Sequence, residues 1–242
     1  MSAWNAVPLV VGHRGGRGEG WPRENSIAAF EQARAQGARA IELDVRTCDG
    51  EVVVLHDAPR VGQGQLDPEV PTLAEVLTWA RERDVAVNVE MKHDVPDRVR
   101  LARATVRIAT SSRADVLLSS FDPMLLAIAG IAAPRLPRAL LVHSAQAVWA
   151  DLLQERTRPP LVQAIHLERT QTDPRAVRRY LHRGLRVGVW TVNDPREAVD
   201  LVAIGVATII TDRAGELLSS LSIESGAVAL PSRGNGLRSN GW

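Results

Sequence analysis

The sequence predicts a single-domain (βα)8 TIM barrel with a short or absent insertion subdomain, and three observations lead there. Strand-sized runs rich in Val, Ile and Leu alternate with amphipathic segments as far as Thr211. Those segments open on helix-capping residues. The chain has 242 residues, close to the roughly 250 that one such barrel takes.

The strand runs are Leu9–Gly12, Ala40–Val45, Val85–Met91, Val116–Ser119, Ala139–Val142, Val162–Leu167, Val187–Thr191 and Ala207–Thr211. A further run, Glu51–Leu55, follows the turn Asp49-Gly50 and reads as a strand hairpinned onto the second one, carrying His56 back over the barrel mouth. Between the runs, Thr72 and Glu75 form a T-x-x-E capping box ahead of the apolar face Leu73, Val76, Leu77, Ala80. Asp122-Pro123, Asp173-Pro174 and Asp194-Pro195 each place an N-cap acceptor before a proline whose missing N–H is harmless at the first helical position. Gly184 and Gly205 fall where helices end. This alternation favours a closed parallel barrel over an open doubly wound sheet. From Ser222 to Trp242 the chain turns to Ser, Gly and Asn without periodicity, which predicts a disordered tail and leaves residues 1–221 to the barrel.

A formal charge of +1 gives no overall field that would hold the protein on nucleic acid or an anionic membrane, so an anionic ligand must be caught locally. The arginines at 175, 178, 179 and 183 read as the solvated side of one helix. The single cysteine, Cys48, has no partner for an internal disulfide. The N-terminal stretch lacks the basic and apolar regions of a signal peptide, and no apolar run reaches membrane-spanning length. A cytoplasmic protein without integral membrane association is expected.

In a βα barrel the site forms at the C-terminal ends of the strands, so polar residues that end apolar runs are the ones to collect. Glu42 and Asp44 are two apart on one strand and share a face that can be the barrel interior. Two inward carboxylates repel each other, and a divalent cation is the simplest neutraliser. An all-oxygen set suits magnesium or calcium rather than zinc. Glu90, on the next strand, can complete a three-carboxylate site, and Lys92 shares its face and can meet a phosphate oxygen. Taken singly, each of these could be an ordinary paired or surface residue. Taken together, charges at several strand ends need a metal and an anion to be tolerated. Trp190 ends the seventh strand and is a possible substrate contact or core residue. Asp212 can orient His13 or cap the following helix, while His143 and His166 are expected to be structural or solvated.

The motifs VVGHRGG (10–16), ENSIAAFEQARAQGARAIELDV (24–45), DGEVVVLHD (49–57) and TLAEVL (72–77), with weaker NVEMK, VWTVN and IITDR, resemble the glycerophosphodiester phosphodiesterases across nearly the whole chain before the tail. The resemblance implies a βα barrel that hydrolyses glycerophosphodiesters to glycerol 3-phosphate and an alcohol with Mg2+ or Ca2+. Carried onto this sequence, it makes His13 and His56 the acid–base pair, Glu42, Asp44 and Glu90 the metal ligands, and Arg14 and Lys92 the phosphate-binding residues.

Two departures stand out. The chain reads PREN before Ser26 where the family has Pro-Glu-Asn-Thr, and only about fifteen residues separate Asp57 from Thr72, where many members carry a substrate-covering insertion. A more open mouth would admit larger leaving groups, so lysophospholipase D-type activity on lysolipids is one alternative. A catalytically inactive barrel that binds a phosphodiester is another, and two retained histidines argue against it.

Overall fold

The computed structural model describes residues 2–58, 67–146 and 161–227. Its strands are β1 (Leu9–Gly12), β2 (Ala40–Cys48), β3 (Glu51–Val54), β4 (Ala86–Met91), β5 (Val116–Ser120), β6 (Arg138–Val142), β7 (Ala164–Glu168), β8 (Arg186–Trp190) and β9 (Thr208–Thr211). Every neighbouring pair is parallel except β2 with β3, and β1 pairs with both β2 and β9. The eight parallel strands therefore close, as expected, with β3 hairpinned outside the ring. Strand ends fall within two residues of the sequence reading except in β2. That strand runs on to Cys48 because Val45–Cys48 pair antiparallel with Glu51–Val54.

Period-two alternation explains what fills the barrel. On β2, Ala40, Glu42 and Asp44 alternate with Ile41, Leu43 and Val45, and on β4, Ala86, Asn88 and Glu90 alternate with Val87, Val89 and Met91. The second set of each strand joins the core between sheet and helices. A separate interior cluster packs Leu9, Val11, Ala40, Ala86, Leu117, Ala139, Ala164 and Ile210 around Trp4. Four alanines leave room there for one indole, which plugs the N-terminal end of the barrel. The Trp4 turn is held by Asp115, which accepts hydrogen bonds from Ser2 Oγ (2.9 Å) and Ala3 N (2.8 Å). Apolar bulk thus fills the bottom layer, and two residues further along β2, β4, β5 and β7 the inward positions turn polar, with Glu42, Asn88, Ser119 and His166.

The helices are α1 (Ile27–Ala35), α2 (Leu73–Glu82), α3 (Arg98–Ser112), α4 (Pro123–Ala132), α5 (Pro174–His182), α6 (Pro195–Ala203) and α7 (Ala214–Ala227). The Thr72–Glu75 capping box is formed, and Asp122, Asp173 and Asp194 cap α4, α5 and α6 with proline in the first turn. Gly184 and Gly205, just past α5 and α6, hold φ of 77° and 103°, where a side chain would be strained. One boundary needs correction: α7 runs on to Ala227, so the start of the segment read as tail is helical. Leu217 and Leu221, at helical spacing, bury against the barrel and carry that helix forward. The rest of the proposed tail lies outside the described residues. No helix among the described residues is long and apolar enough to cross a membrane.

Candidate active site

Strands β2 and β4 bring the three carboxylates together. Asp44 and Glu90 are register partners on adjacent strands, Glu42 lies two residues before Asp44, and one oxygen from each sits within 4.8 Å of the others. All three are buried. Lys92 donates to Glu90 Oε1 (2.8 Å) and Asp44 Oδ1 (3.1 Å), using two of its three N–H groups. Arg14 sits in the loop after β1 with φ 51°, which turns its backbone N–H onto Glu42 Oε2 (3.0 Å) and brings its Nε 3.0 Å from Asp44 Oδ2. The next residue must be glycine: Gly15 has φ 90°, and a Cβ there would lie 2.8 Å from the Ala29 backbone.

The PREN segment keeps its place at the site. Glu24 accepts from Arg14 Nη1 (2.8 Å), Asn25 Nδ2 donates to Asp44 Oδ2 (2.9 Å), and Ser26 caps α1 through Ala29 N (3.2 Å). Serine supplies the hydroxyl that threonine would. Arg23 points away, to Asp67.

Two cations against three buried carboxylates leave the cluster with an excess of negative charge. Burial, then the charges of Asp44 and Glu90, push Glu42 well above the ordinary carboxylate range. Burial and the Asp44 charge raise Glu90 to about 7, although Lys92 opposes them. Asp44 is also buried, but Lys92 and Arg14 outweigh burial and hold it below its ordinary value. An oxygen-only cluster that cannot keep all its charges is suited to a hard divalent cation such as Mg2+ or Ca2+.

A histidine–carboxylate pair stands on each side. His13 Nδ1 lies 2.7 Å from Asp212 Oδ1, with its Nε2 4.0 Å from Glu42 Oε2. His56 Nδ1 lies 2.7 Å from Asp57 Oδ1. An ionised carboxylate only accepts, so each Nδ1 directs a hydrogen at its partner, and each Nε2 is left to take up or give up the second proton. The Arg46 Nε–H donates to the carbonyl of His56 (2.7 Å) and anchors the end of the hairpin, while Arg46 Nη2 holds Asp94. Burial lowers the pKa of His13, the hydrogen bond to Asp212 only partly opposing it. Asp212 resists its own burial through hydrogen bonds with His13, Asn193 and Arg17 and stays far below the ordinary range. Of the two roles open to Asp212, the structure thus assigns the orienting one. Asp212→Asn is expected to lower kcat about 10²-fold or more, since an amide can present its N–H to Nδ1 and favour the wrong tautomer. A wild-type rate would remove Asp212 from the site.

A cavity of about 240 Å3 lies between these groups. His13, Arg14, Glu42, His56, Glu90 and Lys92 line it on one side, and Phe121, His143 and Trp190 on the other. Of the residues expected to act as acid–base pair, metal ligands or substrate contacts, all line it except Asp44, which is tied to Lys92 and Arg14. Trp190 is both wall and packing: its Nε1 donates to the His166 carbonyl (3.2 Å), and Phe121 meets it edge-on at 5.6 Å. His166 is fully buried and structural, burial lowering it to about 4. His143 also lines the cavity: alternation from Ala139 and Leu141 turns it inward, edge-on to Phe121 at 6.0 Å, while its Nδ1 accepts from Ala145 N (2.9 Å) and so keeps the structural role expected of it. The sequence reading also missed Asn88, Phe121, Arg17 and Asn193. Asn88 was open to discovery, being two residues from Glu90 on the same face, and Asn193 lies in the VWTVN motif. Phe121 and Arg17 lie in loops that carry no periodic signal.

Fold and site together define the class: a (βα)8 barrel with a buried acidic cluster at the C-terminal rim of its strands and a histidine–carboxylate pair on either side. The model of the glycerophosphoryl diester phosphodiesterase family matches residues 13–67 and 60–216, two segments that overlap at residues 60–67. The chain belongs to this family. It is 28% identical over 236 residues to a glycerophosphodiester phosphodiesterase of Caldanaerobacter subterraneus subsp. tengcongensis, covering 84% of this chain and 93% of that one. Its fold resembles the glycerophosphodiester phosphodiesterase of Thermotoga maritima with a TM-score of 0.70 at 26% identity, over 88% of this chain and 98% of that one. It also resembles an Oleispira antarctica phosphodiesterase, solved with its product sn-glycerol-3-phosphate, with a TM-score of 0.77 at 23% identity, over 92% of this chain and 100% of that one.

Proposed function

We propose that this protein hydrolyses glycerophosphodiesters to glycerol 3-phosphate and an alcohol, with His13 and His56 as its acid–base pair and a divalent cation, Mg2+ or Ca2+, held by Glu42, Asp44 and Glu90. The observation that carries this reading is the placement of both histidines and the acidic cluster around one cavity. The cation, when bound, lowers the pKa of a coordinated hydroxyl and screens the phosphate charge from it.

The residues of the chain do the rest. Arg14 and Lys92 supply the positive charge that holds the phosphate. His13, kept neutral by burial, takes the proton from a glycerol hydroxyl as that oxygen attacks phosphorus. His56, at the wetter edge, gives a proton to the departing alcohol oxygen as the phosphorus–oxygen bond breaks. Water then opens the cyclic phosphate with the roles reversed: His56 takes a proton from water, and His13 returns its proton to the glycerol oxygen. The sum is one water consumed and one alcohol released. Trp190 and Phe121 offer an apolar wall to the carbon skeleton of the substrate.

The short connection from Asp57 to Thr72 supports a second reading, in which lysolipids reach the same site. The deciding assay is glycerol 3-phosphate release from glycerophosphocholine by the purified protein with Mg2+, with Ca2+ and after chelation. Metal-dependent release is expected. No release with either metal, together with cleavage of lysophosphatidylcholine, would favour the lysolipid reading.

A further inference from the structure

Beneath the acidic cluster the barrel holds polar side chains that the chemistry above does not use. Asn88 is 1% exposed, two residues below Glu90 on β4, and lines the cavity with Leu141 and Ile210. Neither its Nδ2 nor its Oδ1 has a partner among the described residues, and the same holds for Ser119 Oγ and His166 Nδ1, which face into the barrel one step past Leu117 and Ala164. A buried amide with both ends unpaired is costly, and such groups are kept where something from outside completes them.

The chemistry of the well selects its occupant. Asn88 donates from Nδ2 and accepts at Oδ1, and a hydroxyl, which can both accept and donate, meets both ends at once. A phosphodiester does not suit it, because its oxygens have no hydrogen to give Oδ1 and would leave that end unpaired. An alkylammonium would leave Nδ2 unpaired, and an acyl chain would leave both ends unpaired. Resting on the phosphodiesterase reading, we propose that Asn88 hydrogen-bonds the terminal hydroxyl of the substrate's glycerol unit. An ester oxygen at that position cannot donate to Asn88 Oδ1, so the site favours a free terminal hydroxyl over an esterified one.

The test compares glycerophosphocholine with the analogue in which the terminal CH2OH is CH3 and the adjacent hydroxyl is kept. Wild-type protein loaded with Mg2+ or Ca2+ is expected to prefer glycerophosphocholine by about 10- to 100-fold in kcat/KM. In Asn88→Leu and Asn88→Ala that preference is expected to fall below about 3-fold, with the rate on the analogue near wild type. Asn88→Leu is expected to melt at or above the wild-type temperature, because an apolar side chain of similar shape replaces an unpaired buried amide. A preference retained in both variants would mean that Asn88 holds only an ordered water and would overturn the proposal. So would equal losses on both substrates accompanied by lower melting temperatures, the mark of a purely structural role. Wild-type protein that cleaves neither compound would sink the phosphodiesterase reading itself, whereas active protein with an unchanged preference sinks only the role of Asn88.

Discussion

His13→Ala is expected to lower kcat for glycerophosphocholine by about 10³-fold or more, within the range that a positioned proton-transfer group supplies. The melting temperature should change little, because Asp212 keeps Arg17 and Asn193 as partners once the imidazole is gone. His56→Ala is expected to cost a similar factor on the same substrate, and the two variants are separated by the leaving group. If His56 donates the proton that the alcohol needs, a p-nitrophenyl ester, whose phenolate leaves unprotonated, should recover most of the rate of the p-nitrophenolate-releasing step, read as the first-turnover burst, in His56→Ala and little in His13→Ala. The opposite recovery would exchange the roles. Wild-type rates in either variant would remove that histidine from the chemistry.

How much of this was readable from the chain depends on the range of the interactions involved. The strands and caps are local: the Thr72–Glu75 box and the three Asp-Pro starts sit within four residues of the backbone groups they satisfy, and all form as read. Glu42, Asp44 and Glu90 were legible because two-residue spacing fixes a shared face, and closing a barrel turns that face inward. The pairing of His13 with Asp212 spans 199 positions of sequence, and only ring closure by β1 and β9 brings the two together, so the roles open to Asp212 stayed undecided until the fold was known. That His143 lines the cavity was not legible, because inwardness depends on the phase of alternation within β6, which the sequence sets only once Ala139 is known to face the interior. Phe121 belongs to a loop whose path follows from packing against Trp190 and His143, and no short-range pattern encodes it.

The largest effect on stability is expected at Glu42, and it should have opposite signs with and without metal. In the metal-free protein the cluster stores repulsion. Glu90 has a folded pKa of about 7 against an ordinary 4.5, so the folded state holds its proton to higher pH than the unfolded chain does. Stability is therefore full below about pH 4.5 and is lost as pH rises towards 7, by roughly 3 kcal/mol for that one group. Glu42 is shifted in the same direction and adds to the loss. Glu42→Gln removes one charge while its amide oxygen can still accept the Arg14 N–H, whereas replacing Glu90 would strand Lys92. At pH 8 after chelation, Glu42→Gln should thus melt several degrees above the wild type, at about 2–4 °C per kcal/mol for a domain of this size. With millimolar Mg2+ or Ca2+ the order should reverse: the wild type gains stability in proportion to RT ln(1 + [L]/Kd), and the variant, short of one ligand, gains little and loses turnover. Differential scanning calorimetry at pH 5 and pH 8, with and without metal, reads all four states. A metal-free variant that melts below the wild type at pH 8 would show that the carboxylates are already compensated. A wild type indifferent to both metals would remove the cation from Glu42, Asp44 and Glu90.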